Sequence, residues 1–501
     1  MELYDLFYKW VPLWLRLPVL FIFFFVILTA NGVFLGNASD MTGDYGVYPE
    51  VFVQAFNAIY IGMGLGLLFN LRLKMRFTSK QLLLFGLLSL LFLNAVCATT
   101  GNSSVFIIAC LLIGFTKMMA LTEVYVIWLL VWSKQMDTSR MYPFVYFTAL
   151  AGLHFVTWLT TELALDYNWQ YAYIGVLIMV AVCIILAILF VEAHPLKRKI
   201  PFYQVDHIGL LLLAASLMLL NFALVNGRVE DWFHSGKVVM AFWAGIVLFI
   251  LFILRELNIR RPVFDLTLLG RPNLRFGLFL FVLLGFFSVS TFQTSFSAGT
   301  LQYESVRNME LNLYMVPGIL AGCVACYFWY YFRLDADILI IAGFLSFVAY
   351  HIIMYGSFST QFELAGFWIP SLIKGFGTAL IYVAVGLYTN KNLPLTLVMS
   401  GAGVMIIVRS FFGSGICGAL YGFWYYQARV RHFEELVVQT DQATIPGGPG
   451  ATPGYFIQLQ QQAALTASKE LTGFIIIGGL VLAGLLTARY LYHKNKGALV
   501  N

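Results

Sequence analysis

Four ionisable side chains lie inside apolar stretches of this sequence, where charge is costly. Glu123 and Lys117 share one stretch, and Lys374 and Arg409 each lie in another. A charge at mid-bilayer costs at least ~2.5–3.5 kcal/mol, so such residues are candidates for function. A carboxyl group in a low-dielectric setting holds a proton readily, which makes Glu123 the candidate proton carrier. The alternative is a structural ion pair with a base near the end of its span, such as Lys134.

The three buried bases have two interpretations. Lys117 is six residues from Glu123, roughly 120° around a helix, so the two do not form an i,i+4 pair and each needs a partner on another span. Lys117 could face a transport cavity and attract an anionic substrate, or form a buried structural pair. Lys374 is similarly ambiguous. Arg409 could line the cavity or hydrogen bond at a helix interface.

Two groups of uncharged polar residues add candidates. His154 shares a predicted helical face with Thr157 and Thr161, and it could shuttle protons near neutral pH or serve as a structural imidazole. The segment SVSTFQTSF, beside several phenylalanines, suits a cavity for amphiphiles, although hydroxyls also hold helices together. Its candidate cavity-lining residues are Ser288, Thr291, Gln293 and Ser295.

Motifs for enzymatic or ATP-driven chemistry are missing from the sequence. There is no Walker sequence, no HExxH and no convincing Ser/His/Asp order. Cys323 and Cys326 form a CxxC inside an apolar helix, where packing is the better interpretation than redox or metal chemistry. We therefore expect a non-enzymatic protein without metal or cofactor, driven by ion gradients.

The elements that position these residues are membrane spans. Of the 501 residues, 60% are hydrophobic and only 11% are charged, far from a soluble composition. The apolar runs are continuous over roughly 20 residues, the length of a transmembrane helix rather than of a barrel strand. Fourteen such runs predict an all-α polytopic membrane protein. Cytoplasmic segments would hold 21 of the 30 Lys and Arg residues with both termini inside, and outer loops six.

One long hydrophilic excursion, residues 427–470, interrupts this pattern between spans 13 and 14. It contains two helix-like arms around the Pro/Gly break IPGGPGATPG at 445–454. Each arm carries apolar residues at helical spacing. We expect an outward-projecting helical hairpin, the alternative being a disordered connector.

Five stretches, spread in order along the chain, form recognisable motifs. They are WQYAY at 169–173, the "D-x-x-G…G…W" run at 205–232, the "E-x-x-x-x-x-P-x-x-D-L" run at 256–275, Pro317-Gly318, and RSFFGSGICGAL at 409–420. Together they resemble the EmrB/QacA-type drug:proton antiporters, the 14-span branch of the major facilitator superfamily. Arg409 of the last stretch matches the family's span-13 arginine. The small residues after it, Gly413, Gly415 and Gly418, would permit close helix contact.

The chain departs from the family at several coupling positions. Asn31 falls where the family places an aspartate in span 1, and Lys117 lies near the position of its missing span-4 arginine. In span 5, His154 replaces close-packing glycines, and the loop GLLFNLRLKMRFTSK lacks the usual aspartate. Asn31, Lys117 and His154 therefore join Glu123 as proton-coupling candidates.

The resemblance implies the major facilitator fold: a lead-in at 1–16, a six-helix bundle at 17–195, two extra spans at 205–256 and a second bundle at 272–493. It implies proton-coupled export of amphiphiles across a bacterial inner membrane, with a periplasmic adaptor and an outer-membrane channel as partners. The surplus of buried bases favours neutral or weakly acidic substrates. The alternatives are a dedicated exporter of one endogenous lipid or secondary metabolite, and a non-transporting receptor or scaffold.

Overall fold

The computed structural model describes residues 6–30, 33–132, 138–193, 206–259, 262–288, 291–391, 393, 395–439 and 453–498. Within these residues the chain is helical, with one isolated antiparallel bridge between Phe7 and Val191. The α-helices are α1 (Leu13–Thr29), α2 (Val33–Tyr45), α3 (Glu50–Lys74), α4 (Ser79–Thr99), α5 (Ser103–Trp132), α6 (Tyr142–Asp166), α7 (Trp169–Phe190), α8 (His207–Asn226), α9 (Gly236–Asn258), α10 (Pro272–Phe287), α11 (Thr291–Thr294), α12 (Ser305–Leu313), α13 (Val316–Tyr331), α14 (Ala336–Ser357), α15 (Trp368–Asn390), α16 (Leu395–Ile407), α17 (Cys417–Gln439) and α18 (Pro453–Ala498). Segments Ser295–Thr300 and Val408–Ile416 are π-helical.

These helices account for the predicted spans. In the described part of the chain, 13 helical segments are long and apolar enough to cross a membrane, and the shorter apolar helix α10 falls on the predicted ninth span. Helix α18 alone has 46 residues, which is about 69 Å at 1.5 Å per residue, against ~30 Å of hydrocarbon. The prediction of an all-α polytopic membrane protein is confirmed, and the 13 long segments together with α10 correspond to the fourteen predicted spans.

The chain divides into two compact units, Met1–Val282 with Val385–Gly415, and Leu283–Ala384 with Ile416–Asn501. Glycines permit a close helix crossing in the first unit, between α3 and α5. A Cβ at Gly62 would overlap the carbonyl of Leu111, and one at Gly114 would overlap the carbonyl of Ile59. Small residues let helix backbones approach each other in membranes, where packing rather than the hydrophobic effect drives association.

Amides attach α8, one of the two extra spans, to α3. The Asn57 side chain donates to Asn221 Oδ1 at 2.9 Å, and Asn221 donates to the carbonyl of Gln54 at 2.9 Å. Asn221 is completely buried. Because an unsatisfied amide in hydrocarbon costs several kcal/mol, these bonds fix the rotation of α8 against α3.

The family-like runs at 205–232 and 256–275 connect α8 and α9 to the segment that follows. Asp206 caps α8 through the backbone N–H of Gly209 at 3.0 Å and pairs with Arg255 at 2.8 Å. Burial alone would raise the pKa of Asp206, but these hydrogen bonds lower it below its usual value. Glu256 accepts from the backbone N–H groups of residues 263 and 264 at 3.2 and 3.1 Å. Asp206 and Glu256 of these motifs therefore hold helices and the following loop together.

In the second unit, α13 and α15 cross through another pair of glycines. A Cβ at Gly318 would overlap the carbonyl of Leu372, and one at Gly375 would overlap the carbonyl of Met315. Pro317 lies in the first turn of α13, where its missing N–H has no intrahelical acceptor to lose. The family-like Pro-Gly pair thus starts α13 and brings it against α15, the helix that carries Lys374.

The two arms of the excursion are helical continuations of α17 and α18, and residues 440–452 between them lie outside the described residues. Arg431 of the first arm pairs with Glu470 of the second at 2.6 Å, and His432 contacts the same carboxylate at 2.7 Å. Among the apolar residues of the arms, Ala463 is buried, whereas Val437 of the first arm and Phe456 of the second are exposed. Each arm therefore presents some apolar surface.

Candidate functional site

A buried polar cluster surrounds Lys374 in the second unit, and we call it the Lys374 cluster: Gln293, Tyr350, His351 and Lys374. The Lys374 ammonium donates to Gln293 Oε1 at 3.3 Å, and the Tyr350 hydroxyl donates to the same oxygen at 2.9 Å. The ammonium also lies 5.0 Å from the centroid of the Tyr350 ring. Only 4% of the Lys374 surface is exposed.

The end of α10 and the adjacent residues Tyr350 and His351 on α14 hold this cluster in place. His351 follows Tyr350 on α14, and its Nε2 donates to the carbonyl of Phe287 at 3.0 Å. That carbonyl ends α10, so it lacks the N–H partner of a continuing helix. Gln293, in α11, lies next to Tyr350 and Lys374. Its side-chain oxygen supplies the acceptor that a buried ammonium needs.

The charge on Lys374 has neutral partners. Within the described residues no carboxylate lies at ion-pair distance from it; its contacts are an amide oxygen and a tyrosine ring. A buried ammonium without a counter-charge attracts an anionic group strongly, since the local dielectric is low. An anionic group would therefore be a favourable partner for this ammonium.

The predicted cavity residues divide around this cluster. Gln293 and Lys374 come together, whereas Ser295 hydrogen bonds Tyr425. The hydroxyl-bearing Ser288 follows α10 and is half-buried, and the side chain of Thr291 lies outside the described residues. Tyr350 was missed, because a tyrosine in an apolar run gives no sequence signal that separates it from packing.

Arg409 belongs to a second group, in the first unit, formed with Tyr142, Tyr146 and Asn390. The guanidinium contacts the Tyr146 hydroxyl at 3.4 Å and lies 5.9 Å from its ring centroid. The Tyr142 hydroxyl accepts from Asn390 at 2.9 Å. Arg409 lies in the π-helical segment Val408–Ile416, and such π-turns are frequent at functional sites. Arginine over aromatic faces suits a planar or anionic ligand as well as a helix contact.

The small-residue run after Arg409 serves close packing only in part. A Cβ at Gly413 would lie 2.8 Å from the carbonyl of Phe281, and one at Gly415 would lie 3.4 Å from the Asn57 side chain. At Gly418 nothing lies within 4 Å. The prediction of close contact is therefore wrong for Gly418, because that side of the helix is open.

Glu123 and Lys117 have separate partners on other helices. Glu123 is 2% exposed and pairs with Lys74, in the last turn of α3, at 3.3 Å. Its other oxygen has no hydrogen-bond donor among the described residues. Lys117 is equally buried and donates to the carbonyl of Leu28 in the last turn of α1. The alternative partner considered for Glu123, Lys134, lies outside the described residues.

The two remaining coupling candidates are less well placed. His154 is half-buried on α6, and its neighbour Thr161 packs against Gly36 of α2. The Asn37 amide, also on α2, donates to the carbonyl of Thr160 at 3.2 Å. This face of α6 therefore makes a helix contact. Asn31 lies outside the described residues.

The sequence is similar to a known protein family and to several known proteins. The Major Facilitator Superfamily model matches residues 20–417. The chain is 23% identical over 245 residues to the multidrug export protein EmrB of Haemophilus influenzae, covering 47% of this chain and 46% of that protein. It is 27% identical over 216 residues to the methylenomycin A resistance protein of Bacillus subtilis, covering 42% and 44%. The chain thus spans about half the length of the curated relatives it matches.

Solved structures with the same fold are transporters. The POT family transporter PepTSo has a TM-score of 0.57 at 17% identity, covering 96% of this chain and 99% of its own. The human organic anion transporter MFSD10 has a TM-score of 0.53 at 14% identity, covering 93% and 99%. At these identities the likeness shows the fold alone.

Proposed function

Because the chain belongs to the Major Facilitator Superfamily, we propose that it is a secondary active exporter of neutral or weakly acidic amphiphiles. The observation that carries this proposal is Lys374, a buried ammonium whose described partners are neutral. The names of the sequence relatives, a multidrug export protein and a resistance protein, support export. As a multi-pass membrane protein, the chain would act in a bacterial inner membrane by alternating access.

The sign of the buried charge sets the substrate class. A weak acid can place its anionic end at the Lys374 ammonium and its apolar body among the surrounding aromatic rings. A lipophilic cation would meet Coulomb repulsion from the same group, of order 4 kcal/mol at 4 Å and an effective dielectric constant of 20. A neutral amphiphile gains no attraction from the ammonium charge and meets no repulsion from it.

Proton coupling would run through Glu123. Protonation removes its charge and weakens the 3.3 Å contact with Lys74, which holds α5 to the end of α3. A proton entering or leaving this carboxyl group would thereby bias two conformations of the same helices. Lys117, His154 and Asn31 remain secondary candidates.

Passage of substrate to a periplasmic adaptor and an outer-membrane channel would use the helical arms of α17 and α18. Their length beyond the bilayer and the exposed Val438 and Phe456 support this role. Removing residues 445–454 should weaken co-purification of the adaptor mildly, and removing both arms should weaken it strongly. An arm-deleted, folded protein that still recovers the adaptor would leave the excursion as a connector.

The test of export is transport by purified protein in vesicles that contain a pH-sensitive dye. A fluorescent fatty acid and a quaternary ammonium dye serve as substrates of opposite charge, and protein-free vesicles give the passive rate. We expect accumulation of the acid with simultaneous proton movement, and a quaternary ammonium rate equal to the passive one. Tight binding and transport of the quaternary dye would refute the substrate class, and a proton-independent rate would refute the coupling.

A further inference from the structure

A groove of about 700 Å³ lies in the second unit, between α10, α17 and α18, apart from the Lys374 ammonium. Its walls are mostly apolar and include Phe286, Trp424, Phe474 and Leu482. Phe474 and Trp424 are substantially exposed, 63% and 42%. An apolar, concave surface of this size on membrane-spanning helices is large enough for a ligand rather than for a single water.

The groove has the length of one leaflet. Along α18 its lining runs from Glu470 to Leu482, which is about 18 Å at 1.5 Å per residue. Half of the ~30 Å hydrocarbon core is roughly 15 Å. A single acyl chain of one leaflet therefore matches the groove from end to end.

Charged residues occupy one end only. Arg431 and Glu470, which line the groove there, form an ion pair at 2.6 Å. Only Nη2 of Arg431 takes part in that pair, so Nε and Nη1 of this half-exposed side chain can donate to a phosphate. Glu435, one turn further along the same face of α17, is 57% exposed at its side chain. His432 contacts its Oε2 at 3.0 Å, and its Oε1 can accept from an ammonium.

We propose that this groove binds one membrane phospholipid of the phosphoethanolamine type, with an acyl chain along α18, its phosphate at Arg431 and its ammonium at Glu435. The length of the apolar groove fits one acyl chain. Arg431 at the end of the groove and Glu435 one turn beyond it follow the order of phosphate and ammonium in this head group. A head group with phosphate alone would engage Arg431 and make no use of the free oxygen of Glu435. The inference does not depend on the proposed export activity.

Two glycines of α18 allow a matched test. Gly478 lines the groove, and Gly484 does not; at both positions an added Cβ would meet no atom within 4 Å. Leucine at either position should therefore leave the fold intact, which equal thermal unfolding temperatures would verify. Gly478→Leu fills the groove, and Gly484→Leu adds the same side chain elsewhere on the same helix.

The experiment uses full-length protein reconstituted in vesicles of equal parts phosphatidylethanolamine and phosphatidylglycerol. After detergent extraction, native mass spectrometry counts the retained lipids. We expect one phosphatidylethanolamine on the unsubstituted protein and on Gly484→Leu, none on Gly478→Leu, and roughly tenfold weaker retention on Arg431→Gln. Equal retention of both lipids, or retention by Gly478→Leu, would mean annular lipid only and overturn the proposal.

Fluorescence supplies a second measurement, which does not use the groove-filling variant Gly478→Leu. With phosphatidylethanolamine carrying brominated chains, the extracted complex should show quenched tryptophan fluorescence. Trp424→Phe should remove that quenching, because Trp424 lines the groove. Undiminished quenching in Trp424→Phe would place the lipid elsewhere and refute the site.

Discussion

Replacing Lys374 with glutamine should weaken binding of an anionic amphiphile and spare its uncharged counterpart. The ammonium now donates to the neutral oxygen of Gln293 at 3.3 Å. A bound carboxylate would turn that contact into a charge-assisted hydrogen bond, worth about 1.5–3 kcal/mol net. Loss of the charge should therefore raise the Kd of the acid about tenfold to a hundredfold. The bare Coulomb energy would be larger, but desolvation of both ions offsets much of it.

The assay compares a fluorescent fatty acid with its methyl ester, which has the same apolar body and no charge. Equilibrium binding to purified protein gives the ratio of the two Kd values. Lys391→Gln is the matched control, since it removes one positive charge at the exposed end of the same helix, α15. We expect the ratio to change only in the Lys374 variant.

Two results would refute this reasoning. Equal losses for acid and ester in Lys374→Gln would mean that the cluster shapes the fold rather than recognises charge. An acid-to-ester ratio that shifts as much in Lys391→Gln would mean a general effect of net charge. In either case the anion-binding assignment of the Lys374 cluster fails.

Three further changes test other parts of the molecule. Glu123→Gln should lower gradient-driven uptake into vesicles at least tenfold while substrate binding persists, and wild-type uptake would remove Glu123 from the coupling mechanism. Asp206→Asn should cost about 1–3 kcal/mol of stability at pH 7. Because folding lowers the pKa of Asp206, this deficit should shrink as pH falls below the unfolded-state pKa of about 4 and be lost once pH passes the lower folded-state pKa; a deficit in Tm that persists below that range would refute the ion-pair explanation. Gly114→Ala should cost about 1–3 kcal/mol by overpacking α5 against α3, whereas Gly484→Ala should be neutral, and equal melting temperatures would contradict the crossing.

The sequence alone determined the class and the spans. Apolar runs of roughly 20 residues fit hydrocarbon only as helices, so the fourteen stretches predicted the helices that the structure contains. The same reasoning marked Lys117, Glu123 and Lys374 as buried, because charge inside an apolar run has a local signal. The order of the motifs was enough to identify the family, since that identification depends on short stretches read along the chain.

Tertiary structure alone decided which of these residues meet. Gln293 and Lys374 lie 81 positions apart, and Tyr350 joins them from a third helix. Helical periodicity tells which residues share a face, but it does not tell which helix that face contacts. That choice depends on where backbones can approach, as at Gly318 against α15, and on which buried polar groups find partners there. The groove beside α18 likewise has no sequence signal, because its walls come from three helices whose spacing is a property of the packed molecule.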